Sequence, residues 1–169
     1  MAAGSTYTPI STQTLSSTAN TITFSSIPST YTDLVLVMVM TANSTAFNVF
    51  YTLNSDTGSN YSWTLMGGDG TTAGSAKLAS QPEGRLTYYA AVRSSTPTFT
   101  YANFMNYSNT TTKKTVISRS NRTSDGVEYT LNNWFNATSQ AINNISIFAN
   151  GGLSFAVGST FTLYGITAA

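Results

Sequence analysis

Histidine and cysteine are absent from this chain, and only 13 of its 169 residues are charged. Without cysteine there is no disulfide framework and no thiolate metal site. Without histidine the usual base of a nucleophilic triad is missing. Seven basic residues against six acidic ones give a net charge of +1, which is no electrostatic footprint for nucleic acid. The longest apolar run, Leu34 to Met40, is far shorter than a membrane span. Neither nucleic acid nor a membrane is therefore expected as a partner. The opening residues, Met1 to Thr6, hold no basic region and no apolar stretch, so no secretory leader is expected. The Asn-x-Ser/Thr sequons at Asn43, Asn60, Asn106, Asn109, Asn121, Asn136 and Asn144 then follow from composition alone.

What fills the chain instead is Ser, Thr and Asn, 68 residues together, with 10 Tyr, 9 Phe and 2 Trp. Aromatic and β-branched residues suit the half-buried surface of a sheet. The straight-chain helix formers Glu and Lys are nearly missing. A lone soluble monomer usually carries more charge than this. A Tyr-rich, charge-poor surface matches the core of a protein interface. The length is that of one domain.

Residues 1–12 are small and polar with Pro9 among them, and they read as an extended arm that lies across something else, ahead of a domain over 13–169. Ile22 and Phe24 alternate in a short strand, and Ile27-Pro28 marks a corner. In Thr32 to Met40, Leu34, Leu36, Met38 and Met40 share one face and Val35, Val37 and Val39 the other. A strand apolar on both faces is covered on both sides, so this one implies a neighbouring subunit or a long loop over the valines. Thr45 to Asn54 alternates with Phe47, Val49, Tyr51 and Leu53 inward and Phe50 outward. A turn follows over 54–60, then a strand from Tyr61 to Met66. Gly67 to Gly84 reads as a long loop, with room for one helical turn at Ala76–Ser80.

Leu86 to Val92 and Pro97 to Tyr107 read as strands, the second with Phe99, Tyr101, Asn103, Met105 and Tyr107 on one face and Phe104 opposite. Thr115 to Ser120 is a short strand before a turn over 121–126. Val127, Tyr129, Leu131, Asn133 and Phe135 then share a face opposite Trp134. Ile145 and Ile147 mark another strand, Asn150-Gly151-Gly152 a hairpin turn, and Phe161 and Leu163 the last strand. Nine or ten short strands spaced by roughly 8–14 residues predict an all-β sandwich, and the long connections favour a jelly roll.

The candidate chemistry is thin. The carboxylates are Asp33, Asp56, Asp69, Glu83, Asp125 and Glu128, and Asp56, Asp69 and Asp125 lie in glycine-containing turns where Asp serves the backbone. Asp56 with Asn54, or Asp69, offers one or two oxygens to calcium but no spaced ligand series. Lys77, Lys113 and Lys114 have no serine placed for a Ser-Lys pair, and Gly67-Gly68-Asp69-Gly70-Thr71 lacks the lysine of a phosphate loop. No enzyme, cofactor or metal is expected. Trp63, Trp134, Tyr88 and Tyr89 remain as stacking platforms for sugar or as interface residues.

Three segments carry a resemblance. Ile27-Pro28-Ser29-Thr30-Tyr31-Thr32-Asp33-Leu34, Asn54-Ser55-Asp56-Thr57-Gly58-Ser59-Asn60-Tyr61-Ser62 and Gly158-Ser159-Thr160-Phe161-Thr162-Leu163-Tyr164-Gly165-Ile166 resemble, in order, small virion proteins of tailed phages, many from cyanobacterial and other aquatic hosts. That resemblance implies a jelly-roll module used as capsid decoration (cement), head fibre or tail component, usually trimeric, with no catalytic residues to carry over. The expectation is a homotrimer on the outside of the major capsid protein lattice, stabilising the head. Thr6, Tyr7, Pro9 and Ile10 of the arm, with Val35, Val37, Tyr88 and Trp134, are the expected partner contacts. The alternative is a tail or tail-fibre component that binds host surface polysaccharide through 54–60 and 67–84.

Overall fold

The structure, a computed structural model, describes residues 6–122, 126–135 and 139–167. Among the described residues there are twelve strands and one short 3-10 turn. The strands are β1 Tyr7–Thr14, β2 Thr21–Phe24, β3 Asp33–Met40, β4 Val49–Leu53, β5 Tyr61–Gly68, β6 Ala73–Gln81, β7 Gly84–Arg85, β8 Thr98–Met105, β9 Lys114–Arg122, β10 Val127–Trp134, β11 Ile145–Ala149 and β12 Thr160–Ile166. They form two antiparallel sheets: β1-β12-β3-β8-β9-β10-β5-β6 and β2-β11-β4-β7.

Set β5, β6, β9 and β10 aside and the sheets read β1-β12-β3-β8 and β2-β11-β4-β7. The chain crosses between them from β1 to β2, β2 to β3, β3 to β4, β7 to β8, β8 to β11 and β11 to β12. That is the double Greek key of a jelly roll, as the strand spacing predicted. The two extra strand pairs, β5–β6 and β9–β10, both extend the larger sheet beyond β8 and make it twice as wide as the smaller.

The alternation in β3, β4, β11 and β12 builds the core. Leu34, Leu36, Met38, Met40, Phe161 and Leu163 of the larger sheet face Ile22, Phe24, Val49, Tyr51, Leu53, Ile145 and Ile147 of the smaller, all buried. Tyr51 packs edge-on against Tyr61 and Phe104 at 6.1 and 5.7 Å. Buried aromatics of this size dominate the apolar contribution to folding.

Several expectations are corrected. The extended arm over 1–12 is, from Tyr7 onward, the edge strand β1, antiparallel to β12 with a bulge at Ile10; residues 1–5 lie outside the described residues. Pro9 sits on the outer edge, where a missing N–H costs no ladder bond. Ile10 packs against the core. The loop over 67–84 is instead a hairpin, with β6 paired to β5 from Ala73 to Gln81. Its alternation was invisible because an edge strand of Ala, Gly and Ser buries nothing large. The glycines mark a close approach rather than slack: a Cβ on Gly67 or Gly74 would run into the Tyr89 ring. Asp69 closes the turn, its Oδ1 accepting from the Thr71 and Thr72 N–H groups at 3.0 and 2.8 Å and from the Thr71 hydroxyl at 2.8 Å. Asn150-Gly151-Gly152 is a 3-10 turn with both glycines at positive φ, and it leads from one sheet to the other rather than closing a hairpin.

The largest departure is Leu86 to Val92, which forms no strand beyond an isolated bridge at Val92. This segment crosses the inner side of β9 and β10, where the smaller sheet ends. Its backbone is held by buried side chains. Glu128 accepts from the N–H groups of Tyr88, Tyr89 and Ala90 at 2.8, 2.7 and 3.5 Å. Asn132 accepts the Arg85 N–H at 2.8 Å and donates to the Arg85 carbonyl at 2.9 Å, copying a strand neighbour. Ser120 donates to the Leu86 carbonyl at 3.0 Å, and Arg122 to the Ala91 carbonyl at 3.0 Å. Burial pushes the Glu128 carboxyl up from the usual carboxylate range, against the opposing pull of the three N–H groups and Arg85.

Replacing Glu128 with Leu keeps volume but orphans these N–H groups, each at about 1–3 kcal/mol. The Glu128→Leu protein is expected to lose at least about 3 kcal/mol in urea unfolding, with hydrogen-exchange protection lost at the Tyr88, Tyr89 and Ala90 amides; unchanged protection would refute the role. Asp69 is expected to titrate at about 2 by carboxyl NMR, because the Thr72 N–H, the Thr71 hydroxyl and the Thr71 N–H favour its charged form. A depressed value means its contribution to the hairpin is present above the unfolded pKa and is lost as pH falls towards 2. A midpoint near 4 would remove Asp69 as the closure of the turn.

Candidate functional site

The polar interior of β9 and β10 has a consequence on the other side. Successive side chains point to opposite faces, so Glu128, Thr130, Asn132 and Trp134 go in and Val127, Tyr129, Leu131 and Asn133 go out. The usual polarity of a sandwich strand is reversed. Tyr129 is 58% exposed, Leu131 46% and Met66, across the ladder on β5, 65%.

Register joins these residues to the rest of the larger sheet. One row runs Thr162, Val37, Tyr101, Arg119, Tyr129, Met66, and the next Tyr164, Val35, Asn103, Ile117, Leu131, Thr64. Val39, Phe99 and Val127 lie on a third, and Met105 continues the face at one end of β8. Exposed apolar patches larger than a few hundred Å² mark interaction sites in soluble proteins. This face spans six strands.

Depressions break the surface; one of about 400 Å³ lies between Phe99, Arg119, Asn121, Val127 and Tyr129, and two more adjoin it. One, of about 440 Å³, is lined by Tyr101, Asn103, Met105, Ile117, Arg119 and Tyr129. The other, of about 260 Å³, is lined by Leu65, Met66, Ile117, Tyr129 and Leu131. Arg119 is the charge at the middle of the face, its guanidinium 5.3 Å from the Tyr101 ring centre. Desolvation, then the neighbouring Tyr7 hydroxyl, pushes the Tyr101 phenol up to about 12, so it stays a neutral donor.

The expected contact residues divide. Tyr7, Pro9, Val35 and Val37 map to this face, Tyr7 opposite Ile166 and edge-on to Tyr164 at 6.2 Å. Val35 is already buried by its own chain, while Val37 is half-buried. Thr6 is exposed and accepts the Thr167 N–H through its carbonyl. Ile10 belongs to the core side. Trp134 is corrected outright: it is 2% exposed, stacks on Tyr61, and donates Nε1–H to the Asp56 carboxylate at 2.6 Å. Tyr88 is exposed, but on a separate surface. There the Arg85 guanidinium lies 4.4, 4.8 and 4.9 Å from the ring centres of Tyr88, Phe50 and Trp63. Trp63 is therefore buried against an arginine and is no open sugar platform.

The loop candidates also resolve into structural tasks. Asp56 accepts from Gly58 N–H, Asn60 and Trp134, which ties the 54–60 turn to β10. Lys114 is buried, with Nζ donating to the Asn109 and Thr112 carbonyls at 2.5 and 2.9 Å. Asp125 lies outside the described residues. Among the described residues no three His, Cys, Asp or Glu side chains cluster to hold a metal. Sequence reasoning missed Met66, Ile117, Arg119 and Leu131. Their alternation is readable, but not which of the two faces turns outward. No protein-family model matches this chain, and no curated protein matches it.

Leu131→Ala is expected to cost less than about 1 kcal/mol in dilute solution, as a surface change, whereas Leu36→Ala is expected to cost about 2–5 kcal/mol. Urea unfolding of the two variants checks this; equal losses would mean that the chain itself covers Leu131.

Proposed function

We propose that this protein is a phage virion structural protein, a decoration protein that sits as a trimer on the outside of the capsid lattice and stabilises the head. The observation that carries the reading is the open apolar face of the larger sheet. Its Tyr, Phe, Met and Arg content is that of an interface core, with Lys, Glu and Asp sparse. The jelly-roll connectivity and the low charge support the same reading. A residue on a three-fold axis meets its own copies, so like-charge repulsion keeps Arg119 away from that axis. The β1–β12–β3 end, with Tyr7, Tyr164 and Val37, then faces the neighbouring protomer, and the β9–β10–β5 end faces the shell. Burial at roughly 25 cal/mol per Å², less the costs of association, supplies the affinity. Preference for the assembled lattice over free subunits stabilises the shell by mass action. The reading assigns the chain no catalytic step.

The alternative, a tail component that binds host polysaccharide, has a different surface in its favour. On the smaller sheet Phe50 and Phe148 stack at 6.1 Å and 21°, half-buried, beside exposed Tyr88 and a hydroxyl row of Thr23, Ser146 and Thr52. Immunogold electron microscopy of virions separates the two: label over heads is expected, and label confined to tails would overturn the decoration reading. In solution Val37→Asp is expected to turn trimers into monomers by light scattering; a folded variant that remains trimeric would remove Val37 from the protomer contact.

A further inference from the structure

We infer that the Arg119 depression is the docking site for an extended segment of a partner protein that presents a carboxylate flanked by apolar side chains. The inference rests on the decoration reading only for the partner being a protein. Arg119 is exposed on β9, and its guanidinium meets the Tyr101 ring but no carboxylate among the described residues. An arginine has five N–H donors in a fixed fork that matches a carboxylate in bidentate fashion. Around it stand the exposed Ile117, Met105 and Tyr129; an occupant that covers them excludes water and strengthens a pair formed there.

A second open group lies one step along the ladder. Asn103 pairs with Ile117 while Tyr101 pairs with Arg119, so Asn103 and Arg119 are diagonal neighbours on adjacent strands. The Asn103 Oδ1 is buried and accepts no hydrogen bond among the described residues. The depression thus offers a cationic fork and a free acceptor on diagonal positions, whose backbones lie about 7–8 Å apart, between apolar walls. A carboxylate on Arg119 and a backbone N–H on Asn103 satisfy both, and an extended peptide carries both groups at that spacing. The second depression, walled by Met66 and Leu131, takes the adjoining apolar side chain.

Two other occupants fit less well. Among the described residues a second copy of this chain brings only Asp33 as a carboxylate on the same face, and its Oδ1 already accepts the Asn106 N–H at 2.5 Å. An acidic saccharide matches Arg119 but not the aliphatic walls of Met66, Leu131 and Ile117. Arginine and tyrosine together are the residues on which binding energy concentrates at protein interfaces.

The test is selection of a random dodecapeptide library on the intact protein, followed by titration of the enriched synthetic peptides by fluorescence anisotropy. Enriched peptides are expected to carry Asp or Glu next to Leu, Ile, Phe or Tyr. Changing that residue to Asn or Gln, or making Arg119→Gln, is expected to weaken binding about tenfold, with little further loss when both are changed, since the two act as a pair. Arg119→Lys is expected to recover only part of the affinity, because a point charge lacks the fork. The inference is overturned if enriched peptides show no acidic preference, if Arg119→Gln binds within twofold of the wild type, or if only uronic-acid oligosaccharides bind and compete with no peptide. Gold label found on tails would end the decoration reading and leave the peptide result standing.

Discussion

After Arg85, which pairs with Phe50 of β4, and the Leu86 and Thr87 N–H groups, which reach the Val49 carbonyl, the chain to Ala91 crosses the inside of the larger sheet without a ladder, and its remaining backbone groups still need partners. The partners are side chains: the Glu128 carboxylate, the Asn132 amide, the Ser120 hydroxyl and the Arg122 guanidinium. Every one of them stands on β9 or β10. A strand has only two faces, so once its inward positions are committed to polar work its apolar residues have one place to go. Val127, Tyr129 and Leu131 are outside because Glu128 and Asn132 have to be inside.

The same accounting explains the low charge. Of the few ionised groups, Glu128, Arg85, Arg122 and Lys114 are buried and engaged with backbone carbonyls, N–H groups or aromatic rings. Asp56 and Asp69 are spent on turns. A chain that uses its charges internally has little left to keep its surface dispersed. Ser, Thr and Asn take over that task on the smaller sheet and in the turns, and on the outer face of the larger sheet they stand only at scattered positions such as Thr162, Asn103, Asn121 and Thr64. At the middle of that face Arg119 stands among Tyr101, Tyr129, Ile117 and Met105.

What could be read in advance follows the strength of each periodic signal. β3, β4 and β12 alternate with large apolar residues, and six of the eight jelly-roll strands were legible from such alternation and from the turn residues between; β1 read as an arm, and the two-residue β7 fell between the loop over 67–84 and the strand expected from Leu86. β6 was not legible, since Ala73, Gly74, Ser75 and Ala76 pair with β5 without burying anything. Gly67 and Gly74 looked like slack, and only the Tyr89 ring against them gives their reason. Leu86 to Val92 looked like a strand because Leu86, Ala90 and Val92 are apolar and buried, yet the acceptors that hold it lie about 40 residues further along the chain. The valines of β3 implied a cover over their face; Val35 has one within its own chain, while Val37 is half-buried and Val39 exposed. The arginine on that face gave no signal, because one charged residue in a strand is ordinary until its neighbours across the ladder are known.

The unequal widths of the two sheets decide how such a molecule would sit on a partner. A jelly roll with four strands per sheet has two comparable outer faces and no preferred side. Here the inserted β5–β6 and β9–β10 pairs double one sheet, and the polar interior they enclose sends apolar residues to its far side. The smaller sheet keeps hydroxyls outward at Thr21, Thr23 and Ser146, with its aromatic pair at one corner. One side therefore gains by leaving water and the other does not. Association through the larger sheet leaves the smaller one in solvent, which is the arrangement a protein needs if it is to cover a surface without binding further copies of itself on top.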